Sequence, residues 1–268
     1  GGGGSVAPAP TFDVVPSSGG AVVSFTGTAT GNIEGTVAGG VTTFTRGGVS
    51  RTVTDLFSKT INVASGQTVV LTVTEPGGTV VPAVGAGTIA ATGSGNLVIK
   101  GTDAGTGVAT NATLNVQIAL NRGSLTFDLT DDNQDVLNVT GSINLGGGAL
   151  IVSDGTVNAT NATLSNIGSL TLNSALIVTL AQFVALGGTH AGNGTLTIDA
   201  SAGDWGGTDP LNGVANEAIE SISLSAEEFG GLFGEPADET KLEKLADNAT
   251  ITLTDPTLEA EQLTGLAV

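Results

Sequence analysis

The run Ala112-Thr113-Leu114-Asn115-Val116-Gln117-Ile118 decides the reading of this chain. Leu114, Val116 and Ile118 alternate with Thr113, Asn115 and Gln117, the period of a strand with one face buried and the other wet. Working outward, the same pattern returns in Asn96–Ile99, Leu125–Leu129, Val136–Val139, Ala149–Val152, Ser169–Leu172, Leu176–Leu180 and Thr195–Ile198. Many of the joints between these segments carry Gly, Asn or Asp, which suit turns. Strand-sized segments repeating in this way fit the rungs of a β-solenoid, each burying its inner face on the next. An extended, meandering β-sandwich would give a similar pattern. The expected fold class is therefore all-β: an N-terminal β-sandwich-like region, then a β-solenoid or extended β-sandwich, with a few short helices near the C-terminus.

The rest of the chain divides around that centre. Residues 1–11 open with GGGGSVAPAP, a flexible Gly-rich segment running into a stiffer Pro-containing one, read as a linker or tether. Residues 12–91 carry short β-branched runs at Val14-Val15, Ala21–Phe25, Val41–Phe44, Thr60–Val63 and Val69–Val73, broken by Gly, Pro and Ser. They read as a sandwich-like domain, with Glu75-Pro76-Gly77-Gly78 as a turn. Residues 92–216 form the repetitive β-rich region. Residues 217–268 form an acidic strand–helix region, holding 12 of the 25 acidic residues.

Two segments share a grammar of strand, Ser/Thr-led helix start and returning strand. The first is Ile177–Leu186 followed by Gly194–Asp199, and the second is Ile222–Leu232 followed by Ala249–Asp255. Pro256–Leu266 reads as a partial third copy. In the second, Ser225-Ala226-Glu227-Glu228 fits a capping box, with Ser225 as N-cap and Glu228 at N3. Asp238 to Leu245 reads as the best ordinary helix.

Composition narrows the function. The 268 residues carry 25 Asp and Glu against 7 Lys and Arg, a formal net charge of −18. Scattered cations on so acidic a chain exclude nucleic acid as a natural partner, since phosphate contacts need clustered Lys and Arg. The absence of Cys excludes disulfides and thiolate metal sites. A single His excludes a multi-His metal site. No apolar run approaches the roughly 18 residues of a membrane span. With 40% hydrophobic residues, mean hydropathy +0.30 and no Cys or Met, the chain suits a folded, exported product, extracellular or at the bacterial cell surface.

Three quoted stretches carry a resemblance: Thr11–Ile33 (TFDVVPSSGGAVVSFTGTATGNI), Val41–Val49 (VTTFTRGGV), and Val178–Leu186 with Gly194–Asp199 (VTLAQFVAL…GTLTID). In style they resemble repetitive extracellular surface proteins of Gram-negative bacteria: S-layer proteins, giant adhesins and secreted matrix proteins. The resemblance implies β-rich folds, calcium use and self-association. The chain departs from part of that group in lacking the dense Gly-Gly-x-Gly-x-Asp nonapeptides of calcium-loaded repeats. The Gly-rich N-terminus also looks like the tether that follows a lipidated cysteine in bacterial lipoproteins, although no such Cys is present.

No catalytic constellation stands out, and the chain is read as a non-enzyme. His190 lies among small residues with no carboxylate beside it, and the Gly-rich stretches lack the following Lys of a phosphate loop. The one Trp and absent Tyr leave little of the aromatic platform that sugar-cleaving clefts carry. Calcium is the expected cofactor. Asp131, Asp132, Asn133, Gln134 and Asp135 gather oxygen ligands in a loop between two strands, and Asp199, Asp204 and Asp209 form a second candidate set around Trp205. Six Asn-x-Ser/Thr sequons occur, at Asn111, Asn138, Asn158, Asn161, Asn193 and Asn248.

These readings converge on a structural subunit of a self-assembling extracellular layer, filament or biofilm matrix. Its expected partners are copies of itself, joined by β-strand contacts, and cell-surface polysaccharide. The alternative is a calcium-dependent adhesin module that binds glycans or another cell surface.

Overall fold

A computed structural model describes residues 7–75, 79–82, 85–101, 112–129, 136–186, 190–199, 211, 216–217, 219–234 and 237–253. The strands in chain order are β1 (Asp13–Pro16), β2 (Val22–Thr26), β3 (Ile33–Ala38), β4 (Val41–Arg46), β5 (Val49–Thr54), β6 (Thr60–Val63), β7 (Thr68–Thr72), β8 (Thr74–Glu75), β9 (Thr79–Val80) and β10 (Ile89–Gly93). They continue as β11 (Asn96–Lys100), β12 (Ala112–Leu120), β13 (Leu125–Asp128), β14 (Val136–Asp154), β15 (Thr156–Leu172), β16 (Ala175–Thr179), β17 (His190–Ala191), β18 (Leu196–Asp199), β19 (Ile219–Leu224) and β20 (Leu245–Leu253). The helices are α1 (Leu180–Leu186), α2 (Ala226–Phe233) and α3 (Glu239–Leu242). The protein is all-β with short helices toward its C-terminus.

The pairing is that of a β-solenoid. From β2 onward, rung stacks on rung in parallel, and equivalent residues of successive turns sit in register. Val23, Ile61, Ala91, Ile118, Ile143 and Leu164 form one unbroken inward column. Ile33, Val69, Leu97, Leu125, Leu150 and Leu170 form another. Every member of both columns is buried. Parallel strands need crossover connections rather than tight hairpins, and here the crossover is the remainder of each turn.

β14 and β15 show what one full turn looks like. Each is continuous but breaks register at two places, around 138–140 and 144–149 of β14, giving three straight runs per turn. Gly141, at φ +92°, and Gly146-Gly147, at φ +55° and +90°, supply the bends. Val136–Val139 and Ala149–Val152, which read as separate strands in the sequence, are two runs of this one element. The first face comprises the opening runs of β14 and β15, then β16, β18, β19 and β20. The second face runs β2–β6–β10–β12 and the middle runs of β14 and β15. The third runs β3–β7–β11–β13, the final runs of β14 and β15, and β17.

The corner between the second and third faces is built from glycine because no other residue fits. A Cβ on Gly123 would lie 1.9 Å from the Gly95 carbonyl oxygen, and one on Gly148 would lie 1.9 Å from that of Gly123. The next turn repeats the approach at Gly168, 2.1 Å from the Gly147 oxygen. Asparagine supports the corners as well: Asn158 donates to Asn138 Oδ1 at 3.0 Å between the first and second faces, and Asn166 to Asn144 Oδ1 at 3.2 Å between the second and third. Such side-chain ladders gain from repetition, since each amide pairs along the stack with its counterpart.

The N-terminal end is closed. The strands expected to form a separate sandwich instead join the stack, and β10 runs across position 91 in the same sheet. Antiparallel additions extend the first turn: β1 on β2, and β4 and β5 on β3. Phe12, Phe25 and Phe44 are buried beneath them. Phe25 meets Phe44 edge-on at 5.0 Å and Phe12 at 6.1 Å. Burying each ring contributes about 1.5–3 kcal/mol. Arg51 Nε reaches Asp13 Oδ1 at 3.2 Å and links β5 to β1, although both side chains are largely exposed and the pair adds little stability. Phe44 faces Gly35 across the β3–β4 ladder, and only glycine leaves that ring room.

The repeated strand–helix grammar of the sequence is present twice. After β16 the chain enters α1, which packs on β15 where the next second-face strand would lie, and burial of Leu180, Phe183 and Leu186 seals it there. β16 then pairs directly with β18, just as β19 pairs directly with β20 around α2. The box expected at α2 forms: Ser225 Oγ accepts from the Glu228 backbone N–H at 3.2 Å, and Glu228 Oε2 accepts from the Ser225 N–H at 2.6 Å. α1 has the same device, unread in the sequence, with Thr179 Oγ1 accepting from the Gln182 N–H at 3.2 Å and Gln182 Oε1 from the Thr179 N–H at 2.8 Å. The helix expected over 238–245 is shorter. It ends at Leu242, because Leu245 opens β20 and pairs with Ile219. Residues 256–266, read as a third copy, lie outside the described residues.

Candidate functional site

The first calcium candidate, Asp131, Asp132, Asn133 and Asp135, falls on the connection from β13 to β14 and lies outside the described residues. So do Asp204, Asp209 and Trp205. Asp199 closes β18, half-buried on the first face, in register with Thr179 on one side and Ser223 on the other. Among the described residues, no group of three or more His, Cys, Asp or Glu side chains is placed to hold a metal ion.

Register does bring one charged column together that sequence reading did not single out. Lys100, Asp128 and Asp154 occupy equivalent positions on successive turns of the third face. The signal was present in the sequence: each stands at or just after the end of an apolar alternation. Adjacent parallel strands lie about 4.8 Å apart, so the register places these three residues one strand spacing from each other.

The sequons separate into two kinds. Asn138 and Asn158 are committed to the amide ladder, and Asn158 Oδ1 also accepts from Thr160 Oγ1 at 2.7 Å. Asn161, Asn193 and Asn248 are exposed. Asn111 lies outside the described residues. His190 occupies β17, where its backbone pairs opposite Leu170 on the third face.

What the molecule presents to a partner is therefore edges and faces. At one end stands the hairpin-closed cap, with Val15 of β1 42% exposed. At the other, β20 bonds to β19 and to no other described strand. A strand bonded along one edge has a free row of N–H and C=O groups, the usual template for strand addition. Near it Asp238 caps α3: its carboxylate accepts from the Thr240 hydroxyl at 2.7 Å and backbone N–H at 2.9 Å. Those bonds, the hydroxyl's first, hold its carboxyl below the ordinary aspartate value.

None of the described helices is long and apolar enough to cross a membrane. Comparison with known protein families, with characterised proteins and with solved structures finds no match to the chain.

Proposed function

We propose that this protein is a structural subunit of a self-assembling extracellular layer, filament or matrix, built through contacts between β-strands. The observation that carries the reading is the unequal treatment of the two ends of the stack. One end carries the antiparallel strands β1, β4 and β5 over three buried phenylalanines, the other ends on the parallel strand β20, and β1, β5 and β20 each bond to one described strand only. A contact between unlike ends is head-to-tail rather than that of a discrete dimer, and wherever its rotation does not close a ring it repeats into fibres or sheets. The acidic, Cys-free and Met-free composition supports an exported home. Calcium bound at Asp131–Asp135 would tighten such an assembly by screening a chain of net charge −18.

Negative-stain electron microscopy of the purified chain tests this, with calcium and with chelator. Fibres or sheets are the expected result, and their loss in chelator would tie assembly to calcium. Dispersed particles in both conditions would overturn self-assembly and favour the adhesin module.

A further inference from the structure

The second face of the solenoid is distinctive for what it lacks. On a chain with 25 acidic residues, none of the strands that build it (β2, β6, β10, β12 and the middle runs, residues 140–144 of β14 and 161–165 of β15) contains an Asp, Glu, Lys or Arg. Its outward columns are small and neutral: Thr60, Ala90, Gln117, Ser142 and Thr163 in one, and Asn62, Thr92, Ala119, Asn144 and Ser165 in the next. All are exposed or half-exposed. The third face, in contrast, carries Glu34, Lys100, Asp128 and Asp154.

We propose that the second face is a lateral contact between two copies of this chain, packed face to face about a twofold axis near β12. This rests on the self-assembly reading and specifies how neighbouring subunits lie side by side. Electrostatics selects the occupant. Two molecules of net charge −18 repel each other, and they approach most closely where neither presents a charge. Interface cores are likewise depleted of charged residues. Flat rows of Thr, Ser, Asn and Ala also let two sheets approach at about the 10 Å spacing of packed sheets. Six strands about 4.8 Å apart, with some five residues each at about 3.3 Å, span roughly 400 Å² per copy. Stable complexes bury about 800 Å² per partner. One such contact is therefore weak and persists when repeated along an assembly.

The chain has no cysteine, so a single introduced thiol reports the contact without background. Gln117 lies centrally in the face and is exposed, and Thr126 lies on the third face of the same turn. Under mild oxidation Gln117→Cys should form a disulfide-linked dimer while Thr126→Cys stays monomeric. Adding Ser142→Glu and Thr163→Glu to Gln117→Cys should abolish that dimer, with unchanged circular dichroism showing that the fold is intact. Failure of Gln117→Cys to cross-link, or cross-linking no better than Thr126→Cys, overturns the lateral contact. If fibres still form in that case, the self-assembly reading survives alone. If the dimer forms but fibres and sheets never do, the face stands and the assembly reading falls.

Discussion

The side-chain amide of Gln182 donates to the carbonyl oxygen of Ala159 at 2.7 Å and also to that of Ala162. These carbonyls belong to β15 at the place where a strand of the next turn would have accepted the role of partner and α1 stands instead. A helix satisfies its own backbone and leaves its neighbour's ladder open, so one glutamine spans the gap. Gln182→Ala should lower unfolding free energy by about 1–3 kcal/mol, the usual cost of stranding buried carbonyls. Gln182→Glu keeps the size but removes both N–H donors, and should be no better. Urea denaturation checks this, and equal midpoints for all three proteins would refute the role.

Gly123 makes a sharper prediction. Its missing side chain is what lets the Gly95 carbonyl approach, and a Cβ there would be 1.9 Å from backbone rather than from a movable side chain. Gly123→Ala should cost at least the 1–3 kcal/mol typical of overpacking. Gly19→Ala adds a Cβ with nothing within 4 Å, at φ +90°, and should cost only backbone strain. Thermal melts of the pair would separate crowding from strain.

At the closed end, Phe44→Ala should cost about 3–5 kcal/mol. Gly35→Ala pushes a methyl group to within 2.7 Å of the same ring. The two positions share one space, so Gly35→Ala combined with Phe44→Leu should destabilise by less than the sum of the single changes. Strict additivity in a double-mutant cycle would show that the ring and the glycine do not share that space.

Asp238 predicts a pH effect of defined sign. Its carboxyl titrates lower in the folded protein than in the unfolded chain, because Thr240 donates to the ionised form. The cap is therefore fully present above the unfolded value and is lost as pH falls through the folded one. Carbon-detected NMR titration should place Asp238 below an ordinary aspartate. Thr240→Val, which removes the hydroxyl that donates most strongly to the carboxylate, should move it back up.

The parts of this architecture that sequence could reveal were those with local causes. Alternation in Ala112–Ile118 gave strands with one buried face, and Ser225 with Glu228 gave a helix start, because each depends on residues a few places apart. Whether those strands stack as rungs or meander depends on contacts between turns, such as Ile118 on Ile143, and alternation alone does not encode it. The N-terminal strands read as a sandwich because short β-branched runs are split there by Gly, Pro and Ser; hairpins do occur, at β3–β4–β5, yet β6 and β7 pair onward in parallel. Thr179 and Gln182 carry the spacing of a capping box, but the second duty of Gln182 needs a strand edge that appears only in three dimensions. The helix over 238–245 lost its last turn for a similar reason, since pairing to β19 outweighed helical propensity in Leu245. Of the candidate site residues, Asp199 alone lies within the described part of the chain, on a strand whose neighbours are Thr179 and Ser223.

The in-register columns make the molecule a counter of its own length. Each added turn sets one more residue on Ile118, one more glycine on Gly123 and one more amide on the asparagine ladder, and moves the far end by about 4.8 Å. A lineage that duplicates a whole turn can therefore change the reach of the protein in fixed steps, while the cap at one end and β20 at the other stay as they are.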